Sequence, residues 1–195
     1  MFLDEPPPSE ARDSLYSEEL ETDGYVANNT RLWAWRPDIL RSFAELRSGL
    51  MKASALTSRE WAVLVVSTAS TMNDSYCSLA WGARLAHLTD DETAAQVLSG
   101  QPASGLNDRE RALADWARGV VRDPNGTSPA DVDRLRDAGL ADREIFEATA
   151  FIAFRQAFST IDDALGAAPD HQLAEEVPPR VRAAVRFGRA PDAGP

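Results

Sequence analysis
The chain has 195 residues, 44% of them hydrophobic, which suits one domain with a real core. A formal charge of −11 repels phosphate backbones and argues against nucleic-acid binding. One cysteine rules out an internal disulfide, and two histidines leave little for a His- or Cys-rich metal site.

No apolar run approaches the ~18–20 residues of a membrane span. The longest, Ala62 to Val66, reads as a buried segment. Met-Phe-Leu-Asp-Glu followed by three prolines lacks the basic and apolar regions of a secretory signal. Together with the lone Cys77 this predicts a cytoplasmic protein without membrane contact. The scattered glycines form no phosphate loop, and no cofactor is expected.

Residues 1–22 are acidic and proline-bearing and read as a flexible arm, with a short helix near Tyr16 to Leu20. Pro37 suits a first helical turn and opens a helix to about Lys52. Its Ile39, Leu40, Phe43, Leu46 and Leu50 keep to one face. Thr57-Ser58-Arg59-Glu60 is a capping box for a helix reaching about Thr71. Asn73 or Asp74 caps the helix carrying Cys77, Leu79, Trp81 and Leu85. Thr89 with Glu92 forms another box, and Gly100 ends that helix. Asn107 with Glu110, Ser128-Pro129 stopping at Gly139, and Asp142 open three more, the last running to Gly166. A short helix follows Pro179, and residues 187–195 read as a disordered tail. No segment alternates like a strand, so the fold class is all-α. The main helical domain spans 23–168, and 169–195 hold a short helix and the tail.

One segment carries chemistry. On a helix, positions 74, 77, 78 and 81 are spaced i, i+3, i+4 and i+7, so Asp74, Cys77, Ser78 and Trp81 share a face. The helix dipole at Cys77 favours thiolate, whereas the carboxylate of Asp74 favours the neutral thiol. An ordinary or raised thiol pKa is therefore expected, with Arg84 compensating only if it folds back. Structural roles compete throughout: Cys77 as core, Asp74 as N-cap, Glu60 as the capping-box carboxylate, Tyr76 and Trp81 as core or pocket wall, and His87 as an ordinary helix-end histidine. His171 is expected at the surface. Arg155 and Gln156 interrupt the run Phe151 to Phe154, marking a buried polar cluster or a subunit contact, with Asp162 a partner for Arg155.

Leu56-Thr57-Ser58-Arg59-Glu60, then Asn73-Asp74-Ser75-Tyr76-Cys77, then Leu106 to Leu113, Ala138 to Ile145 and Asp163-Ala164-Leu165-Gly166 together resemble the carboxymuconolactone decarboxylase and alkylhydroperoxidase D-like family. The resemblance covers roughly residues 25–168 and is closest to its peroxidase-related branch. It implies an alkylhydroperoxidase D-like helical bundle, a homo-oligomer (dimer, trimer or hexamer), and a peroxidase in which two cysteines separated by two residues cycle through a disulfide. A histidine and a glutamate move protons in that family. Here only the second cysteine is matched, by Cys77. Asp74 stands at the first cysteine's position and Trp81 at the histidine's. The stretch between Glu60 and Asp74 is longer than the family's, so the glutamate's role does not transfer cleanly to Glu60.

With one thiol, no intramolecular disulfide can form, and a peroxidase cycle needs an external thiol reductant. Cys77, Asp74 and Glu60 are the catalytic candidates. Ser78, Trp81, Tyr76 and His87 are the pocket candidates. Two alternatives stay open: a non-redox decarboxylase, lyase or isomerase using carboxylates on the same fold, or a non-catalytic paralogue. A small-molecule substrate is expected in either enzymatic case. The five tryptophans, with Trp33 and Trp35 close together, add some support for a subunit contact.

Overall fold
The computed structural model describes residues 1–194. Its α-helices are α1 Glu10–Asp23, α2 Asn28–Trp33, α3 Pro37–Ala53, α4 Ser58–Met72, α5 Ser75–Leu88, α6 Asp91–Leu98, α7 Asp108–Arg122, α8 Pro129–Asp137, α9 Asp142–Ala164, α10 His171–Glu176 and α11 Pro179–Ala184. A short 3₁₀ turn, Pro124–Gly126, precedes α8. Among the described residues there is no strand, and no helix is long and apolar enough to cross a membrane.

α4 is the central rod. Every residue from Glu60 to Ala69 is buried, the signature of a helix surrounded by others. Ala62, Val63 and Val66 pack with Leu79 and Leu85 of α5, Val97 and Leu98 of α6, and Val181 of α11. Trp61, Leu64 and Val65 pack with Leu113 of α7, Leu135 of α8, and Phe151 and Ile152 of α9. Trp81 touches both clusters. Gly82 permits the closest approach on α5, since a Cβ there would meet Val181 Cγ1 at 2.8 Å.

The caps do what their residue types dictate. Thr57 with Glu60 and Asn107 with Glu110 form complete capping boxes. Asn73 ends α4 in the left-handed region (φ 63°), and Asp74 starts α5 by accepting from Cys77 N. Two expected caps shift by one residue. Asp90, not Thr89, caps α6, and Ala141, not Asp142, precedes α9. Asp90 wins because its carboxylate accepts from both the amide and the hydroxyl of Thr93. At α9 the side chain of Glu144 reaches back to Ala141 N.

Both ends of the chain are seated on the bundle. α1 is a full helix capped by Ser9, longer than the Tyr16–Leu20 turn expected from sequence. Phe2 N donates to Leu165 O (2.9 Å), and the Arg189 guanidinium lies 4.7 Å from the Phe2 ring. Arg189 N donates to Ser75 Oγ, Ser75 Oγ donates to Arg189 O, and Arg189 Nη2 donates to Asp163 O. Gly188 (φ 70°) sits where a Cβ would lie 2.5 Å from Asn73 O, so the tail docks only with glycine there. Near it, Asp192 accepts from His171 N (2.8 Å) and its carboxylate lies 3.0 Å from His171 Nδ1, so His171 is tied to the tail and only partly exposed. The short helices α2 and α10, six residues each, are additions to the elements expected from sequence.

A polar clasp closes the far end of α4. Arg109 donates to Glu60 (2.5 Å), Glu144 (2.5 Å) and Gly139 O (2.6 Å). Glu60 is 4% exposed, so Arg109→Ala strands a buried carboxylate. The expected loss is about 3 kcal/mol, read as a lower denaturant midpoint with an unchanged slope. The oxidation rate of Cys77 per folded molecule should not change.

Candidate thiol site
Cys77 lies in the first turn of α5, and its backbone amide donates to Asp74 Oδ1 at 2.9 Å. The local sequence explains this: an aspartate three residues ahead is a strong N-cap and turns the cysteine inward. Cys77 is 5% exposed and Asp74 is fully buried. From α9, Arg155 Nη2 donates to Cys77 Sγ at 2.8 Å. Ser159, one turn further on, places its Oγ 4.0 Å from the same sulfur. The next turn brings Asp162, whose Oδ1 accepts from Trp33 Nε1 at 2.8 Å. Trp33 in turn stacks on Phe158 with centroids 4.9 Å apart.

The result is a thiol between one guanidinium and two carboxylates, all buried. Burial pushes the Cys77 thiol pKa well up, Arg155 pulls it down, and Asp74 and Asp162 push it up again. At rest Cys77 is a thiol, as expected from the sequence. Burial also raises Asp162 to about 7, with the Asp74 charge adding to the rise and Trp33 and Arg155 opposing it. Asp163 is raised to about 6 by burial and by Asp74. Oδ2 of Asp74, Oδ2 of Asp162, Oγ of Ser78 and Nε of Arg155 are buried without a hydrogen-bond partner. Such groups cost free energy in a sealed site, so this cluster is held at an expense that packing alone does not explain.

The structure thus gathers Asp74, Cys77 and Ser78, with Trp81 at the edge of the group. The Arg84 guanidinium lies 5.3 Å and that of Arg155 6.0 Å from the Trp81 ring centroid. Other candidates fall elsewhere. The carboxylate of Glu60 is committed to Thr57 N and Arg109. The Tyr76 hydroxyl hydrogen-bonds Asp170 and lies 3.1 Å from Asn29 Oδ1. His87 is exposed on the last turn of α5. Arg155 and Asp162 do not pair with each other: Arg155 takes the sulfur and Asp162 takes Trp33. The role of Arg155 at the thiol was missed in the sequence, although its interruption of an apolar run was the signal. Among the described residues no group of His, Cys, Asp and Glu side chains is arranged to hold a metal ion.

Arg155 also lines a cavity of about 120 Å³ between α3 and α9, walled by Leu40, Phe43, Phe151, Phe154 and Phe158. It adjoins a groove of about 450 Å³ along α3, α4 and α5 that holds Trp61, Trp81 and Arg84. Arg47 lines both.

A peroxidase-related protein from Ralstonia eutropha JMP134, described as an alkylhydroperoxidase AhpD core, superposes with a TM-score of 0.76 at 25% identity, over 98% of this chain and 97% of that one. The chain has the alkylhydroperoxidase D-like fold. The resemblance read from its motifs and the all-α class both stand. A second structure with this fold, a peroxidase-related protein from Silicibacter sp. TM1040, gives a TM-score of 0.76 at 23% identity, over 88% of this chain and 93% of that one. A third, a cysteine-to-alanine variant of the debrominase Bmp8 in complex with 2,3,4-tribromopyrrole, gives 0.69 at 14%, over 95% and 97%. No protein-family model matches the chain, and no curated protein matches it.

Proposed function
We propose that the protein is a single-cysteine thiol peroxidase that reduces an organic hydroperoxide at Cys77 and is recycled by an external thiol. The contact that carries this reading is the Arg155 Nη2 donation to Cys77 Sγ inside a buried site. A guanidinium on a buried sulfur is idle toward a permanently neutral thiol. It becomes strongly favourable when negative charge develops there. In the reaction, Sγ attacks the terminal peroxide oxygen. The S–O bond forms as the O–O bond breaks, giving a sulfenic acid and an alcohol. The thiol proton passes to the Asp74 carboxylate beside the sulfur. The departing alkoxide takes a proton from Asp162, which still holds one near neutrality. The external thiol then condenses with the sulfenic acid, releasing water. A second thiol frees Cys77 and leaves as the disulfide. Exposed Trp35, Ile39 and Leu46 around α3 support the expectation of a homo-oligomer, and the family resemblance supports a cytoplasmic setting.

The test is the oxidation rate of Cys77 by hydrogen peroxide and by cumene hydroperoxide across pH, with Cys77→Ser as the blank. Oxidation far faster than a free thiol, preferring the organic peroxide and yielding a trappable sulfenic acid, is expected. A rate no better than a free thiol sinks the reading. The raised pKa of Asp162 favours a second one, acid–base chemistry such as decarboxylation. Turnover of a small carboxylic acid that survives Cys77→Ser but not Asp162→Asn would establish it in place of the first.

A further inference from the structure
The charge distribution around the two adjoining cavities runs against that of the molecule. The chain carries a formal charge of −11, yet no acidic residue lines either cavity. Four cations do: Arg155 in the small cavity, Arg47 where the two meet, and Arg84 and Lys52 in the groove. Other arginines near the bundle core, Arg59, Arg109 and Arg143, pair with carboxylates. Among the described residues these four have no carboxylate partner. Arg155 is 6% exposed and its buried Nε has no hydrogen-bond partner. Arg47 is pushed down from the usual guanidinium range by desolvation and then by the charges of Arg155 and Arg84. Clustered like charges cost free energy, and that cost is recovered when an anion enters.

The apolar half of the site is equally specific. A dry apolar cavity of roughly 150 Å³ takes up benzene, so about 120 Å³ admits a small ring or a short alkyl chain. We infer that the α3–α9 cavity and the adjoining groove form one binding site for a small monocarboxylate, with its flat or short apolar body among Phe43, Phe151, Phe154 and Phe158 and its charge held by Arg47 and Arg84. As a ligand site this stands on its own. As the site of the thiol's substrate it rests on the peroxidase reading, and it then specifies the hydroperoxide of such an acid.

The probes are benzoate and hexanoate, with benzamide as the uncharged isostere and inorganic phosphate as the anion without a body. Calorimetric titration is run on the wild type and on Cys77→Ser. Saturable binding of at least one carboxylate, about tenfold or more tighter than benzamide and weakened by salt, is expected. Arg47→Gln and Arg84→Gln, both exposed at the rim, should each weaken the carboxylate about three- to tenfold and leave benzamide unchanged. Equal binding of benzoate and benzamide, or binding of neither carboxylate, overturns the site. Phosphate binding as tightly as benzoate overturns its apolar half. Because Cys77→Ser is titrated too, failed peroxide oxidation leaves the ligand site standing. A failed titration leaves the thiol chemistry with an uncharged substrate.

Discussion

Replacing Arg155 by methionine should cost the protein its reactive thiol while leaving most of its stability. The side chain is 6% exposed and supplies the cation at Cys77 Sγ among the buried carboxylates of Asp74 and Asp162. Methionine fills similar volume, so the loss is of charge rather than packing. Arg155 contacts the sulfur and no carboxylate, so its removal strands no partner charge, and the denaturant midpoint at neutral pH should shift by much less than the ~3–5 kcal/mol of a broken buried ion pair. The thiol pKa should rise further, because Arg155 is the cation that lowers it, and oxidation by hydroperoxide should fall to the rate of an ordinary buried thiol. Arg155→Lys keeps the charge and not the fork, so it should recover only part of the reactivity. An Arg155→Met protein that oxidises as fast as wild type would remove the guanidinium from the mechanism.

The second large effect is on the pH dependence of stability. The carboxyl of Asp162, 1% exposed, holds its proton up to about pH 7 in the folded protein. In the unfolded chain it gives that proton up near the usual carboxylate pKa of about 4. Between those values the native state binds more protons, so stability falls as pH rises from about 4 to about 7 and the contribution is flat above. Asp163, raised to about 6, acts in the same direction over a narrower window. Surface carboxylates held down by arginines, such as Asp142 beside Arg136, act in the opposite sense, so the comparison must be with an isostere. Asp162→Asn keeps an acceptor for Trp33 Nε1 and removes the titration. Wild-type stability relative to this variant should fall by roughly 2–4 kcal/mol across that window. Parallel curves for the two proteins would mean that Asp162 is ionised throughout.

Helix starts were legible wherever cap chemistry is local. Thr57 with Glu60, Asn107 with Glu110, and Pro37 at a first turn stand where their residue types place them. The misplaced starts, at Asp90 and Ala141, came where neighbouring residues compete for one cap and only geometry decides. α2 and α10 escaped because six residues are too few to show a period. At the site, the turn from Asp74 to Cys77 could be read because it is a local motif. What could not be read was the company the sulfur keeps. Arg155 and Ser159 come from α9 and lie 78 and 82 positions away along the chain, and Trp33 reaches Asp162 across 129. One sequence records that Arg155 sits oddly in an apolar run but does not say which buried group it meets.

The seating of the tail on Ser75 and Asp163 has a consequence for how the protein is made. Synthesis proceeds from the amino terminus, and domains compact as they emerge. Phe2, Trp33 and Cys77 are therefore in place long before Gly188 and Arg189 leave the ribosome. Until they do, the first turn of α5 lacks its cover, and the Arg189 guanidinium that opposes the raised pKa of Asp163 is absent. During that interval the sulfur already has Arg155 and Ser159 beside it, but the start of its helix is not yet covered by the tail. The cover over the first turn of α5 is thus added after the nucleophile and its α9 neighbours have been made.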